Sequence, residues 1–546
     1  MESSELMTAE SMQSNEPAES LEASNTSYDI VPYPSHPFRQ THPERLYAMA
    51  RMFGLTPTDI NNCRVLEIGC AGGGNIIPMA ELLPNSQFVG FDLSQKQIES
   101  AQASIDKLGL TNVEVKQLDI LKVDESLGKF DYVLCHGVYS WVPPEVRAKI
   151  LEICRDCLTP QGIAYVSYNT LPGWHLRGAI RDMMNYHTRT LNDPQKKTQQ
   201  ARALLEFLAS AVHKDAGAYG SMIHSELNLL KNQSDNYLYH DHLETDNYQF
   251  YFHEFVEEAN KYDLQYLAES HLATMWTGNF PKEVAQTLER VAPDIIQREQ
   301  YADFVRNRMF RQTLLCPRRV KVDRALNAQT LDGAWLSSPM RRIDNPPGSE
   351  LPEGAVSYRN LQTNQGLNTT DARMIAALDL VGQSFPLAVS FDDMIAHVQQ
   401  TVEAAKTADP DALRREMANN VIHLTVGGLV ELSYSPSRFT KEITVKPKTS
   451  GVSRLQAASV DRLTNGRHEL IKLDDLTRHI VTLVDGEKTH HEIRNGLKTM
   501  LTDGTLTMRK DGEAMEPPSG EVLERIASEA LAKALDRLSK AAMLIS

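Results

Sequence analysis

The amino-acid sequence predicts an α/β protein whose first part contains an open, mainly parallel sheet with helices on both faces. Three observations lead to this prediction. An apolar run at 64–68 breaks into small residues at 69–75 and resumes with helical spacing from Ile76. Acidic residues lie at the ends of three successive apolar runs. From residue 181 onward the apolar residues recur mostly with helical spacing, so a mainly helical domain is expected after the sheet.

The glycine-rich turn between the first strand and the first helix is the central local signal. Small residues allow a ligand to approach the backbone N–H groups at the start of a helix, and these groups bind anionic atoms. Glu67 lies two residues before Gly69, where the strand end can direct a carboxylate toward a cationic or hydroxyl-bearing ligand. A nicotinamide dinucleotide is disfavoured because Glu67 would crowd its pyrophosphate. A turn that only packs a helix on a sheet explains the glycines but not the acids.

Two further acids follow the next two predicted strands. The strand at 88–91 ends in Asp92, near the offset of about 20 residues at which an acid binds a ribose diol in doubly wound folds. The strand at 113–118 ends in Asp119. The set resembles the Rossmann-like domain of class I S-adenosylmethionine-dependent methyltransferases, whose first motif is acid-x-Gly-x-(Gly/Ala)-x-Gly. The residues that match this motif are Glu67, Gly69, Ala71 and Gly73.

The resemblance implies that S-adenosylmethionine is the cofactor and gives each acid a role. The glycine turn would hold the methionine part, Asp92 the ribose hydroxyls and Asp119 the adenine amino group. The predicted cofactor-binding residues are Tyr28, Gln40, Glu67, Gly69, Cys70, Ala71, Gly73, Asn75, Asp92, Leu93, Asp119, Ile120 and His136. No metal site is predicted, because nothing in the sequence fixes a ligand geometry for the histidines and acids at 240–253.

Length and composition limit the class of protein. A chain of 546 residues is too long for one hydrophobic core and predicts three or four domains. The formal charge of -15 argues against nucleic acid as the main partner. Six cysteines in this length do not indicate a disulfide framework. No apolar run approaches the roughly 20 residues of a membrane span, and an acidic, disordered tail at 1–27 is consistent with a cytoplasmic protein.

Substrate-side residues are predicted on a proline-rich strap and on two loops. The prolines of the strap at 28–46 exclude a helix at its start, and the strap either crosses the cofactor mouth or packs along the domain edge. Thr41 is expected to cap the helix that follows. The loops at 136–144 and 168–175 follow the fourth and fifth predicted strands, at the sheet edge where parallel sheets bind ligands. The predicted catalytic residues are Tyr33, His42, Tyr139, Trp141, Tyr168, Asn169 and Trp174.

Later segments resemble a narrower family. Residues 240–269 resemble the methyltransferase regulatory domain found beside bacterial class I methyltransferases. The strap, the loop ending in Pro172-Gly173-Trp174 and the segment 303–316 resemble the same family, best known through rickettsial protein-lysine methyltransferases. Three helical patterns and a short apolar segment after a proline-rich linker predict a winged-helix-like module, and the last part of the chain repeats this theme. The predicted domains are a tail at 1–27, a cofactor-binding methyltransferase domain at 28–180, a mainly helical regulatory domain at 181–320, a linker at 321–357, and winged-helix-like modules at 358–436 and 437–546.

The resemblance implies a protein-lysine N-methyltransferase that binds a protein substrate through its lysine side chains. Only a neutral lysine amine attacks in line, and deprotonating a free amine at pH 7 costs roughly 4 to 5 kcal/mol. A dry pocket with acceptors that orient the amine can offset this cost. Methylation of a small molecule or RNA, and cofactor binding without turnover, remain open as alternatives. A homodimer is compatible with the sequence.

Overall fold

The computed structural model describes residues 35–344, 350–510 and 513–545. The predicted tail at 1–27 and two predicted site residues of the strap, Tyr28 and Tyr33, lie outside this part of the chain.

A central eight-stranded sheet organises residues 35–317. Its order is β3-β2-β1-β4-β5-β8-β7, with the short β6 beside β5. Strands β1 to β5 run parallel, whereas β8 is antiparallel to both β5 and β7. The carboxyl ends of the parallel strands therefore meet at one edge, as predicted for an open α/β sheet. The strands are β1 (Arg64–Ile68), β2 (Gln87–Asp92), β3 (Val113–Gln117), β4 (Phe130–Cys135), β5 (Leu158–Thr170), β6 (Gln249–Phe250), β7 (Leu264–Glu269) and β8 (Phe310–Pro317).

Helices cover both faces of this sheet and form the mainly helical region after it. The short helices between the strands are amphipathic and turn their apolar sides toward the sheet. The helices up to residue 306 are α1 (Pro43–Met52), α2 (Ile76–Leu82), α3 (Gln95–Leu108), α4 (Pro144–Cys157), α5 (Trp174–Thr188), α6 (Pro194–Ala211), α7 (Gly217–Leu230), α8 (Asp235–Leu238), α9 (Phe252–Lys261), α10 (Lys282–Val291) and α11 (Ile295–Arg306).

The structure differs from the predicted domain boundary at residue 180. Strands β7 and β8 belong to the predicted helical region, yet β8 pairs with β5, β7 pairs with β8, and together they complete the central sheet. Helices α5 to α8 form an insertion between β5 and β8 with a small hydrophobic core of their own. The antiparallel pairing of β5 with β8 joins residues about 150 positions apart, and local periodicity carries no signal for such a contact.

Strand β5 is longer than predicted. It continues to Thr170, so Tyr168 and Asn169 lie in a strand and not in a loop. Alternate side chains of a strand point to opposite faces of the sheet. Tyr165 accordingly belongs to the core on the face covered by α1 and α2, and Tyr168 to the core on the face covered by α4 and α9.

Two modules follow the sheet domain. In the first, three helices pack with a small sheet of order β13-β9-β14, as the winged-helix-like prediction requires. Part of the predicted linker is structured, because β9 and β10 lie within 321–357 and pair with later strands. Its elements are β9 (Trp335–Ser337), β10 (Met340–Ile343), β11 (Val356–Asn360), β12 (Gly366–Thr369), α12 (Ala372–Ser384), β13 (Val389–Ser390), α13 (Phe391–Thr401), α14 (Glu403–Lys406), α15 (Pro410–Val426) and β14 (Glu431–Ser433).

The C-terminal module has a separate hydrophobic core built from its helices and one hairpin. The hairpin β15–β16 turns at 465–469 and reaches back to the sheet domain. Its elements are α16 (Gly451–Ala457), β15 (Arg462–Thr464), β16 (Leu470–Lys472), α17 (Asp475–Leu483), α18 (His490–Thr502), β17 (Met508–Lys510), β18 (Glu513–Met515) and α19 (Gly520–Lys540).

Candidate active site

The glycine-rich turn after β1 has the backbone shape that its sequence predicts. Gly69 and Gly73 have φ angles of +73° and +76°, a region that glycine adopts without strain. A Cβ atom at Gly69 would lie 2.6 Å from the side chain of Val138. Ala71 also has a positive φ, and its N–H donates to Asp92 Oδ2 at 2.9 Å. Asp92, at the end of β2, therefore stabilises the turn.

Glu67 is buried beneath this turn, with 4% of its surface exposed. Asn75 Nδ2 donates to Glu67 Oε1 at 2.6 Å, while Oε2 has no hydrogen-bond partner among the described residues. Burial, with a smaller contribution from Asp92, raises the pKa of Glu67 to about 8. A buried carboxylate oxygen without a partner fits a cationic ligand group such as an ammonium, which would restore the charged form.

The side chain of Asn75 is occupied by protein groups. Its Oδ1 accepts from Phe38 N at 2.8 Å, and lies 2.8 Å from His468 Nε2 of the C-terminal module. Its Nδ2 donates to Thr41 Oγ1 at 3.0 Å as well as to Glu67. Asn75 was predicted to bind the cofactor, and its contacts assign the side chain to holding Glu67 and the strap.

The described part of the strap lies on the glycine turn. Gly74 N donates to Ser35 Oγ at 2.7 Å, and a Cβ atom at Gly74 would overlap the backbone carbonyl of Ser35. The ring of Phe38 lies 3.9 Å from the ring of His136. The sequence left open whether the strap crosses the cofactor mouth or packs along the domain edge. Its described part crosses the ligand-binding edge of the sheet.

A polar group lies under the strap at the ends of β4 and β5. His136 Nδ1 and Tyr165 OH are 2.9 Å apart, and Gly137 N donates to Ser167 Oγ at 2.8 Å. The Gln40 side chain hydrogen-bonds to Tyr165. Burial lowers the pKa of His136 to about 4 and raises that of Tyr165 well above its usual range. At neutral pH both side chains are uncharged, so this polar group offers a neutral amine hydrogen-bonding partners without a competing charge.

Tyr165 and Ser167 were not among the predicted site residues. They share one face of β5 with Asn169, and across the antiparallel pair Ser167 is opposite Gln312 and Asn169 is opposite Phe310. Alternate residues along 163–169 point to the same face of a strand, so a strand prediction extended to residue 169 would have placed Tyr165 and Ser167 beside the predicted site residue Asn169.

Tyr139 and Tyr168 lie away from this pocket and pack in the hydrophobic core. The ring of Tyr168 stacks on Phe255 at 4.0 Å, and its hydroxyl is 3.0 Å from Thr313 Oγ1. Tyr139 packs edge-on against Phe255 at 5.3 Å. The predicted catalytic roles of these two tyrosines are therefore replaced by packing, because residue 168 points to the opposite face from residues 165 and 167.

His42 has a structural role. It is the N-cap of α1, and its Nδ1 accepts from Glu44 N at 3.2 Å. Thr41, predicted to be this cap, instead donates to Phe38 O at 2.8 Å. Burial lowers the pKa of His42 to about 3, and its ring lies 5.2 Å from that of His468.

The other predicted residues lie at the same edge of the sheet. Asn169 donates from Nδ2 to Asn247 Oδ1 at 3.3 Å. Trp141 and Trp174 pack edge-on at 6.3 Å beyond the end of β5. On the other side of the turn, Asp119 Oδ1 accepts from Leu121 N at 2.9 Å. The remaining cofactor-side residues are a buried thiol, an exposed leucine and a half-buried isoleucine: Cys70, Leu93 and Ile120.

Two features are absent from the described residues. These residues contain no group of three or more histidine, cysteine or acidic side chains arranged to hold a metal ion. Within the same ranges, no helix is long and apolar enough to cross a bilayer.

Known families match three parts of the chain. The family described as "Predicted methyltransferase regulatory domain" matches residues 234–317, "Methyltransferase domain" matches 59–260, and "PKMT, C-terminal winged helix domain" matches 446–543. These matches confirm the family resemblance that the motifs predicted.

Two similar proteins cover most of the chain. The uncharacterized protein RP789 of Rickettsia prowazekii (strain Madrid E) is 37% identical over 492 residues, which are 89% of this chain and 88% of that protein. The solved structure of PKMT2 from Rickettsia typhi in complex with AdoHcy matches with a TM-score of 0.83 and 32% identity, and covers 94% of this chain and 100% of that one.

Proposed function

This chain belongs to the family of S-adenosylmethionine-dependent methyltransferases that includes PKMT2 of Rickettsia typhi, and we propose that it methylates lysine side chains of a protein substrate. The relative's name, protein-lysine methyltransferase, supports the substrate class. The observation that carries the proposal in this chain is the uncharged, hydrogen-bonded pair of His136 and Tyr165 at the ligand-binding edge of the sheet, with Phe38 of the strap against the His136 ring.

The residues around the turn fit the cofactor. Glu67 Oε2 has no hydrogen-bond partner in the part of the chain that the structure describes, which supports a contact with the ammonium of the methionine part. The carboxylate end would lie at the turn, against a backbone N–H group other than those of Ala71 and Gly74, which donate to Asp92 and Ser35. Asp92 and Asp119, at the ends of β2 and β3, would bind the ribose and the adenine, with Leu93 and Ile120 against the nucleoside. When bound, S-adenosylmethionine supplies a methyl group on a positively charged sulfur.

The residues on the substrate side prepare the amine. Phe38 and Phe310 both lie close to the His136 ring, with ring centroids at 3.9 and 6.2 Å, and place apolar surface beside it. Water exclusion lowers the pKa of a lysine amine and favours its reactive neutral form. His136 and Tyr165 are uncharged hydrogen-bonding groups that can hold the amine with its lone pair directed at the methyl group.

The test is methyl transfer from tritiated S-adenosylmethionine to proteins of a bacterial lysate. We expect label in protein and mono-, di- or trimethyl-lysine in its peptides by mass spectrometry. A lysate whose lysines have been acetylated is the matched control and should take up no label. Label confined to RNA or small molecules, or equal label in the acetylated lysate, would overturn the proposal.

A homodimer and a cytoplasmic location stay predictions from the sequence. Sedimentation of the purified chain across a range of concentrations measures the first.

A further inference from the structure

We propose that His468 of the C-terminal module is a positioning residue for the cofactor site and that it acts through Asn75. The proposal rests on the cofactor site described above. His468 lies 393 positions from Asn75 in the sequence, yet its Nε2 is 2.8 Å from Asn75 Oδ1. Both side chains are at least 97% buried.

The orientation of the Asn75 amide follows from one contact in which the donor is unambiguous. The backbone N–H of Phe38 can only donate, so the atom it contacts at 2.8 Å must be the oxygen of the amide. The amide nitrogen therefore faces Glu67 Oε1 and Thr41 Oγ1. Because Asn75 Oδ1 can only accept, His468 must carry its proton on Nε2 and donate.

His468 is held for this contact by its own hairpin. It lies in the turn between β15 and β16 with a φ of +59°, a conformation that the turn imposes. The residues on either side, Arg467 and Glu469, form ion pairs with Glu431 and Arg39. The turn is thus fixed against both the first module and the strap.

Asn75 consequently joins three parts of the molecule at one amide group. Its oxygen accepts from the strap and from His468, and its nitrogen holds the Glu67 carboxyl group. Loss of the His468 donor removes one of the two bonds that fix the amide oxygen, so the amide that orients Glu67 is held less firmly. The C-terminal module then contributes directly to cofactor affinity, in addition to packing on the domain.

The experiment compares three full-length variants by calorimetry with S-adenosylhomocysteine and by thermal unfolding. His468→Ala removes the donor. His468→Gln retains an N–H donor near the position of Nε2. Arg478→Ala is the matched control, because it removes a hydrogen bond to Ala457 O inside the same module, away from Asn75.

We expect His468→Ala to raise the Kd for S-adenosylhomocysteine about 5- to 10-fold, the effect of one lost buried hydrogen bond. His468→Gln should recover most of the affinity, and Arg478→Ala should keep the wild-type Kd. In an Asn75→Ala background, His468→Ala should cause no further loss of affinity.

Other outcomes would contradict the proposal or the cofactor site on which it rests. Equal weakening by His468→Ala and Arg478→Ala, or no rescue by glutamine, would show that the module only stabilises the fold and would overturn the proposal. A wild-type Kd in a folded His468→Ala protein would do the same. Absence of binding by the wild-type chain would instead overturn the proposed cofactor site.

Discussion

The two faces of strands β5 and β8 carry buried polar groups of different kinds. On the face of Tyr168, the guanidinium of Arg311 is fully buried and paired with Glu269 at 2.7 Å, Asp303 at 2.8 Å and Glu299 at 3.0 Å. We call these four residues the closed cluster. On the other face, Tyr165, His136 and Glu67 lie under the strap, and Glu67 has a carboxyl oxygen without a partner among the described residues.

This comparison distinguishes the closed cluster, which stabilises the fold, from the residues under the strap, which are suited to bind a ligand. In the closed cluster every charge is paired within residues 269–311, so the cluster needs nothing from outside. The site face is completed from distant parts of the chain, by the strap and by the hairpin turn at 465–469. Substitutions in the closed cluster should therefore change stability, and substitutions on the site face should change binding or turnover.

The largest effect is expected for Arg311→Met. Removal of the guanidinium leaves three buried acids with Arg308 as their nearby cation, 3.4 Å from Asp303 and 3.9 Å from Glu299, and Glu269 loses its ion pair. We expect this to cost about 3–5 kcal/mol in the free energy of unfolding. Urea denaturation followed by circular dichroism measures this loss. Arg342→Met removes an exposed ion pair with Asp379 and should cost less than about 1 kcal/mol. If both substitutions had the same effect, the closed cluster would not hold the fold.

The next effect is expected for Glu67→Gln. Glutamine keeps an oxygen for Asn75 Nδ2 but removes the charge, and the Kd for S-adenosylhomocysteine should rise about 10- to 100-fold. Because an ammonium requires the ionised carboxylate, wild-type affinity should increase as the pH rises toward 8, and this increase should be absent in the variant. Calorimetry from pH 6 to 9 measures both, with Glu114→Gln on the exposed side of β3 as the control.

The raised pKa of Glu67 also makes the stability of the protein depend on pH. Its pKa is raised in the folded protein, so the folded state binds more protons than the unfolded state between about pH 4.5 and 8. Stability from this group is therefore lost as the pH rises through that range, and Glu67→Gln should become more stable relative to wild type as the pH increases. Melting temperatures across this range would contradict the burial argument if the difference were constant.

A pair of tyrosines on the two faces gives a smaller and sharper test. Tyr165→Phe removes the buried hydroxyl beside His136 and should lower kcat about tenfold, in addition to a stability cost of about 1 kcal/mol for the lost hydrogen bond. Tyr168→Phe removes a hydroxyl that bonds to Thr313, itself bonded to Glu269 of the closed cluster. It should cost about 1 kcal/mol in stability and leave kcat unchanged. The opposite pattern would exchange the roles assigned to the two faces.

The smallest effect is expected for Arg39→Met in the strap. Arg39 pairs with Glu431 of the first module and Glu469 of the C-terminal module, and its side chain is 25% exposed. Loosening of the strap should speed dissociation of S-adenosylhomocysteine about three- to fivefold, measured by stopped-flow tryptophan fluorescence. Lys261→Met, which removes an exposed pair with Glu258, should leave the rate unchanged.

Much of the sheet domain could be predicted because its signals are local. The fourth predicted strand ends where the loop at 136–144 begins, and β4 ends at Cys135 in the structure. The turn after β1 needs small residues, and the acids of β1 and β2 lie where a strand–turn–helix unit places them. Each of these features depends on residues that are close together in the sequence, so their spacing along the chain is enough to predict them.

The amino-acid sequence by itself determined the family, the glycine turn and the acids at the strand ends. The tertiary structure decided which face of β5 forms the pocket, that β7 and β8 complete the sheet, and that His468 reaches Asn75. The physical reason is that local sequence fixes the backbone of a strand or helix. Contacts between residues hundreds of positions apart depend on how the buried side chains of the whole chain pack together.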